Sequence, residues 1–185
     1  MVVGSINTNI ITGNLWFPQI NQGSNLLVIV LINFFFVIFF AGGINEEAWW
    51  GGFAQKRMQV KYSPLVTAVL FWFYMVIWHI PNDLIQYQNG GYIMVRIVLY
   101  LFIMILFTWT YNRTKGSILA IVIFHASMNS MNPLWGIFPI TTASNVLLIG
   151  LAITILILDR MWRKLLEDHP AVYQDAALAV STEES

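Results

Sequence analysis

No cysteine occurs anywhere in the 185 residues, and charged side chains make up only 10% of them. The first absence removes both a disulfide framework and a thiolate metal site, leaving His, Asp and Glu as the strong metal ligands. The second is less than half the charged share of an ordinary soluble domain, while 58% of the residues are hydrophobic. That balance describes an integral membrane protein. Lys and Arg total nine and the formal net charge is zero, too little positive charge for a nucleic-acid surface. The first 23 residues hold no charge and include Pro18, so they do not read as a cleavable signal peptide, which needs a basic segment ahead of its apolar core. Neither an internal repeat nor a soluble domain is legible.

Windows of about twenty apolar residues predict an all-α fold, a polytopic transmembrane helical bundle of about five spans. The first runs from about Leu26 past Gly42 and Gly43 as one long kinked helix to about Gln55. The second opens at Ser63-Pro64, a cap followed by proline at the first helical position, and ends near His79 and Pro81. The third covers roughly Tyr92 to Tyr111, the fourth Gly116 to about Asn132-Pro133, and the fifth roughly Ser144 to Met161. Turn residues separate them, at Asn89-Gly90-Gly91 and from Asn112 to Gly116. Lys56, Arg57 and Lys61, then Arg113 and Lys115, then Arg160, Arg163 and Lys164 follow spans one, three and five. The other two connections, about 82 to 91 and 132 to 143, hold Asp83 and no Lys or Arg. Basic loops stay in the cytoplasm, which predicts a multi-pass cell-membrane protein with its N-terminus outside and its C-terminus inside. The domain plan is an extracytoplasmic segment over 1–23, the membrane domain over 24–164 and an acidic, mobile cytoplasmic tail over 165–185. Arg96 falls about one turn inside span three, where it reads as a snorkelling side chain.

Within this apolar chain the pair Glu46-Glu47 stands out, because an ionisable group at bilayer depth costs at least about 2.5 kcal/mol and is read as functional until its partner is known. Candidate partners are His79, His125 and Asn129. Adjacent helical residues diverge by about 100°, so the two glutamates cannot face one point; one meets the reaction centre while the other caps or braces a neighbouring helix. His125 and Asn129, four apart, share a helix face and can offer two hydrogen bonds to one oxygen. A Glu and a His can together deprotonate water, and a His with an Asn can stabilise the oxyanion that follows, which is hydrolysis without a protein nucleophile. Ser127 points away from the face of His125 and Asn129. The structural alternative stays open for each histidine, as a bridge to a backbone carbonyl. Gly51-Gly52 reads as a place of close helix approach, and the aromatic run Leu70 to Trp78 as packing or lipid-facing surface. By depth, Glu46 stands about 15 Å from Lys56 and His125 about 13 Å from Gly116, whereas His79 comes out about 22 Å from Ser63, a mismatch unless span two tilts or begins below the membrane surface.

Glu46-Glu47-Ala48-Trp49-Trp50-Gly51-Gly52-Phe53, Trp78-His79-Ile80-Pro81, and Gly116-Ser117 leading to His125-Ala126-Ser127-Met128-Asn129 resemble the three motifs of the CPBP family. This group of intramembrane glutamic proteases includes the type II CAAX prenyl endopeptidases and the bacterial Abi or bacteriocin-immunity proteins. The resemblance implies Glu46 as water-activating base, Glu47 as its hydrogen-bonding support, His79 as partner on the water, and His125 with Asn129 as oxyanion hole. It implies a lipidated or membrane-embedded peptide as substrate. It also departs from the family pattern: Gly51 stands where an arginine usually follows the second glutamate, Met75 where a phenylalanine precedes the histidine, and helices expected upstream of the first motif are missing. Without that arginine, one carboxyl stays protonated or borrows Arg57. The expected enzyme is a glutamic endopeptidase without a cofactor. Glu46, His79 and His125 are the set that would hold zinc if a metal took part. Two other classes remain: an inactive relative serving as membrane adaptor or immunity protein, and a haem or metal electron carrier using His79 and His125. Membrane lipid is the other expected partner, and the sequence assigns no oligomeric state.

Overall fold

The computed structural model describes residues 25–40, 42–86, 90–130 and 142–173, and every regular element among them is helical. Helix α1 spans Leu26–Phe40 and α2 spans Gly43–Glu47. A π-helical stretch, Ala48–Gln55, continues α2 into α3, Lys56–Lys61. Then come α4 (Pro64–Gln86), α5 (Gly90–Arg113), α6 (Ile118–Ser130) and α7 (Thr142–Leu158). The expected N-terminal segment 1–23, the connection 132–141 with Asn132-Pro133, and the tail beyond Tyr173 lie outside the described residues, as does Asn89 of the expected turn.

Helices α4 and α5 are each long and apolar enough to cross a membrane. Helix α1 and the run Gly43–Lys61 pass the same test as a pair bent by 44°. Gly42 makes that bend: its φ of 102° lies where a β-carbon is strained, so the kink expected near Gly42-Gly43 falls on the residue type that tolerates it. Helices α6 and α7 are apolar but shorter. Apolar side chains point outward as well as inward, with Phe40 74% and Leu147 72% exposed, which is how a bundle meets acyl chains. The chain is a helical membrane protein.

Helix α5 packs between α4 and α7, and the core there is built on Ala68, Phe71, Met104, Ile105, Leu106 and Ala152. Met75, in place of the family phenylalanine, packs against this cluster, as an adaptable thioether can. Helix α1 and the Gly43–Gln55 run pack on α6. Two expectations change. Helix α4 does not stop at Pro81 but runs through it to Gln86, since proline removes one hydrogen bond and kinks a helix without always ending it. The expected mobile tail is tied down as far as Tyr173: the Gln59 amide donates to the Ala171 carbonyl at 3.0 Å, the Tyr173 N–H donates to the Lys56 carbonyl at 3.0 Å, and Ala171 and Val172 are buried.

Candidate active site

The glutamate pair divides as its helical geometry requires. Glu47 is buried, and its Oε1 lies 2.7 Å from Nδ1 of His125. An ionised carboxylate only accepts, so in that state Nδ1 carries the proton and Nε2 is left for other work. Glu46, one residue earlier, is half-buried and lays its carboxyl against Gly42, where an added β-carbon would come within 2.9 Å of Cδ. The π-helical stretch begins directly after Glu47; such segments widen a helix and recur at functional sites.

His79 reaches the same region from α4, half-buried and within electrostatic range of Glu46 and His125 as well as Asp83 and Arg96. The depth mismatch expected from the sequence disappears once the helix ends are known. Helix α3 ends at Lys61 rather than Lys56, so Glu46 stands fifteen residues above the turn and His79 fifteen beyond Pro64 on the other side, each roughly 20 Å from it. Helix α6 starts already raised beside Gly52, whose added β-carbon would meet Cδ1 of Ile118 at 2.9 Å, so seven residues bring His125 level with Glu47. Four of the five candidates therefore share one neighbourhood. Asn129 lies one turn beyond His125 on α6, half-buried, and makes no hydrogen bond to the other four.

Gly51 is not a vacancy left by an arginine. A β-carbon there would fall 2.0 Å from Cδ1 of Ile121, which is itself 1% exposed, so the position is filled by α6. The reading of Gly51-Gly52 as close helix approach holds. Nor does Arg57 serve the glutamates: it donates to the Phe53 carbonyl at 3.1 Å and stacks on the rings of Phe53 and Tyr173. The cation-capable partner of Glu47 is His125.

Three polar residues beside His79 escaped the sequence reading as a group. The His79 ring lies 5.3 Å from that of Tyr100. The Tyr100 hydroxyl donates to Oδ2 of Asp83 at 3.1 Å and accepts from Arg96, whose Nη2 lies 3.2 Å from Oδ1 of Asp83. Asp83 is 1% exposed, so Arg96 is no snorkelling side chain but half of a buried ion pair. The signal was present: once α4 is continued through Pro81, Asp83 is i+4 from His79 and shares its face. Asn33 on α1 is also fully buried, with neither amide atom paired among the described residues, the kind of group that holds a water.

Among the described residues no three of His, Asp and Glu gather as a metal would require, and Glu46, His79 and His125 do not form such a group. Nor do His79 and His125 stand free for haem: one is stacked on Tyr100 and the other bonded to Glu47.

No curated protein and no solved structure matches the chain. The family model described as Type II CAAX prenyl endopeptidase Rce1-like matches residues 27–131, more than half of the chain and all the elements that carry the candidate residues. With that match added to the three motifs and their convergence, the chain belongs to the Rce1-like family of membrane proteases.

Proposed function

We propose that this protein is an intramembrane endopeptidase that hydrolyses a peptide bond in a lipidated or membrane-embedded substrate by direct attack of water. Glu46 takes the proton from that water while His79 holds it on its other side. Hydroxide adds to the scissile carbonyl, and the resulting oxyanion accepts hydrogen bonds from His125 and Asn129. The tetrahedral intermediate collapses, the C–N bond breaks, and the proton held by Glu46 passes to the leaving amine. Glu47 fixes the His125 ring through Nδ1, so that Nε2–H can serve the oxyanion, and offsets the charge of the imidazolium this requires. Asp83, Arg96 and Tyr100 set the plane of His79. No metal is needed. The substrate reaches the site from the bilayer, and the chain crosses it five times, N-terminus outside and C-terminus in the cytoplasm of the cell.

The observation that carries this reading is the meeting of three motifs from three helices: Glu47 bonded to His125 across α2 and α6, with His79 of α4 in the field of Glu46. A farnesylated reporter peptide incubated with the purified protein tests it. Glu46→Gln and His79→Ala are expected to lose about 10²- to 10⁴-fold in kcat, the range of a positioned acid or base. Equal turnover by wild type and both variants would contradict it. The second reading, an inactive relative acting as adaptor or immunity protein, has its motive in Gly51, where Ile121 occupies the place of the family arginine. A folded wild-type protein that never cleaves favours that reading.

A further inference from the structure

At the opposite end of the bundle from His79, where Lys and Arg collect, a cavity of about 330 Å³ opens between the end of α7 and the end of α5. Its lining includes Arg113, Asp159, Arg160, Arg163, Lys164 and His169. Arg113 is neutralised by a bidentate pair with Asp159. Among the described residues none of Arg160, Arg163 and Lys164 has a carboxylate within ion-pair distance, so the described part of the cavity wall brings three cations together.

The backbone holds one of these cations at a strained position. Helix α7 ends in a Schellman motif, with Met161 N–H donating to the Leu156 carbonyl at 3.1 Å and Arg160 N–H to the Ile157 carbonyl at 3.2 Å. Arg160 occupies the left-handed position at φ 50°, where glycine is the least strained choice. Lys115 does the same at the end of α5, with φ 56°. A strained residue that persists is a reason to look for a ligand, and here the three clustered cations and the cavity point to the same one. Next in sequence to the lining residues, Leu158, Trp162 and Leu166 are 74%, 49% and 75% exposed, the apolar and aromatic mixture of a membrane interface.

We propose that this cavity binds the phosphate of an anionic phospholipid headgroup, with Arg160, Arg163 and Lys164 on the phosphate oxygens and Leu158, Trp162 and Leu166 against the lipid's acyl region. Basic pockets at the cytoplasmic ends of membrane helices suit such headgroups, and each cation near the surface supplies roughly a fivefold gain in affinity. The site is separate from the proposed reaction centre, so its test reads no proteolysis.

The full chain in phosphatidylcholine nanodiscs, with and without phosphatidylglycerol, is analysed by native mass spectrometry for retained lipid. Phosphatidylglycerol is expected to remain bound in preference to phosphatidylcholine. Arg160→Gly, which relieves the backbone while removing the cation, and Arg163→Ala, on an exposed side chain, are each expected to weaken retention roughly fivefold with the thermal midpoint held or raised in Arg160→Gly. Equal retention of both lipids, or retention unchanged in Arg160→Gly and Arg163→Ala, would overturn the proposal. Inorganic phosphate and glycerol phosphate form the third arm. If either displaces phosphatidylglycerol at equal concentration, the site is one for a free phosphate and the lipid assignment is overturned.

Discussion

In the proposed mechanism His79 shares the proton-abstraction step and needs its ring plane held, a task for which Tyr100 and the pair behind it are placed. Tyr100 is pinned through its hydroxyl, by donation to Asp83 and acceptance from Arg96, so its ring presents a fixed surface to the imidazole. A buried ion pair contributes little net stability once desolvation is counted, and specifying one geometry is the better account of Asp83 and Arg96. Tyr100→Phe keeps the ring and removes the pin. It is expected to lower kcat by about ten- to a hundredfold with KM little changed, the scale of an ångström of misplacement. Steady-state kinetics on the reporter peptide checks this, and a variant whose only change is in KM would assign Tyr100 to substrate binding. Glu46, Glu47, His79, His125 and Asn129 were legible in the sequence because an ionisable or amide side chain is rare in an apolar chain. Asp83 and Arg96 are equally rare there, yet a helix that ends at Pro81 puts Asp83 in a connecting loop and leaves Arg96 to the lipid headgroups; only the continuation to Gln86 brings them together.

The same boundary matters at the scale of elements. Apolar windows find helices but not their ends: proline is compatible with a kinked continuation, the π-helical stretch has no composition of its own, and the start of α6 is set by what it rests on. That α6 begins high in the bundle follows from contacts distant in sequence, Gly52 against Ile118 and Gly116 against Pro170 and Ala171, which no local pattern reveals. The Gly51 contact with Ile121 brings α6 near enough for His125 to reach Glu47. Gly51→Ala is expected to destabilise the fold by about 1–3 kcal/mol, the usual effect of overpacking. Adding Ile121→Val, which deletes the clashing Cδ1, is expected to restore most of that loss. Thermal unfolding in detergent of the two variants and wild type provides the comparison; additive destabilisation in the double variant would show that the helices do not meet at this point. For the same reason Gly51→Arg is a poor test of activity, since it must displace α6 before it can meet a glutamate.

At the scale of the whole molecule, the end of the bundle remote from His79 is closed by polar ties between residues distant in sequence. Asn112 donates to Gln59, Gln59 to the Ala171 carbonyl, and Arg113 and Trp109 both to Asp159. The Arg113 guanidinium, with the Trp109 N–H, holds the Asp159 carboxyl below the usual carboxylate range. A depressed value in the folded state means that the pair stabilises above the unfolded value, near pH 4, and that this contribution is lost as pH falls through the folded one. Wild type is therefore expected to lose thermal midpoint between about pH 5 and the folded value of Asp159, whereas Asp159→Asn starts lower and falls less over that window. A parallel fall in the two proteins would remove the pair from the stability of this end.

In the proposed mechanism Glu46 and His79, carried by the two helical runs that meet at the turn between Lys61 and Pro64, act on one water. A double-mutant cycle on the kcat of reporter cleavage, comparing wild type, Glu46→Gln, His79→Ala and the double variant, measures that directly. If the two groups act as a unit, the double variant is as slow as the slower single one, because the second loss removes nothing that the first left working. If the two losses multiply, Glu46 and His79 act independently and the single reaction centre described here is not the one the protein uses.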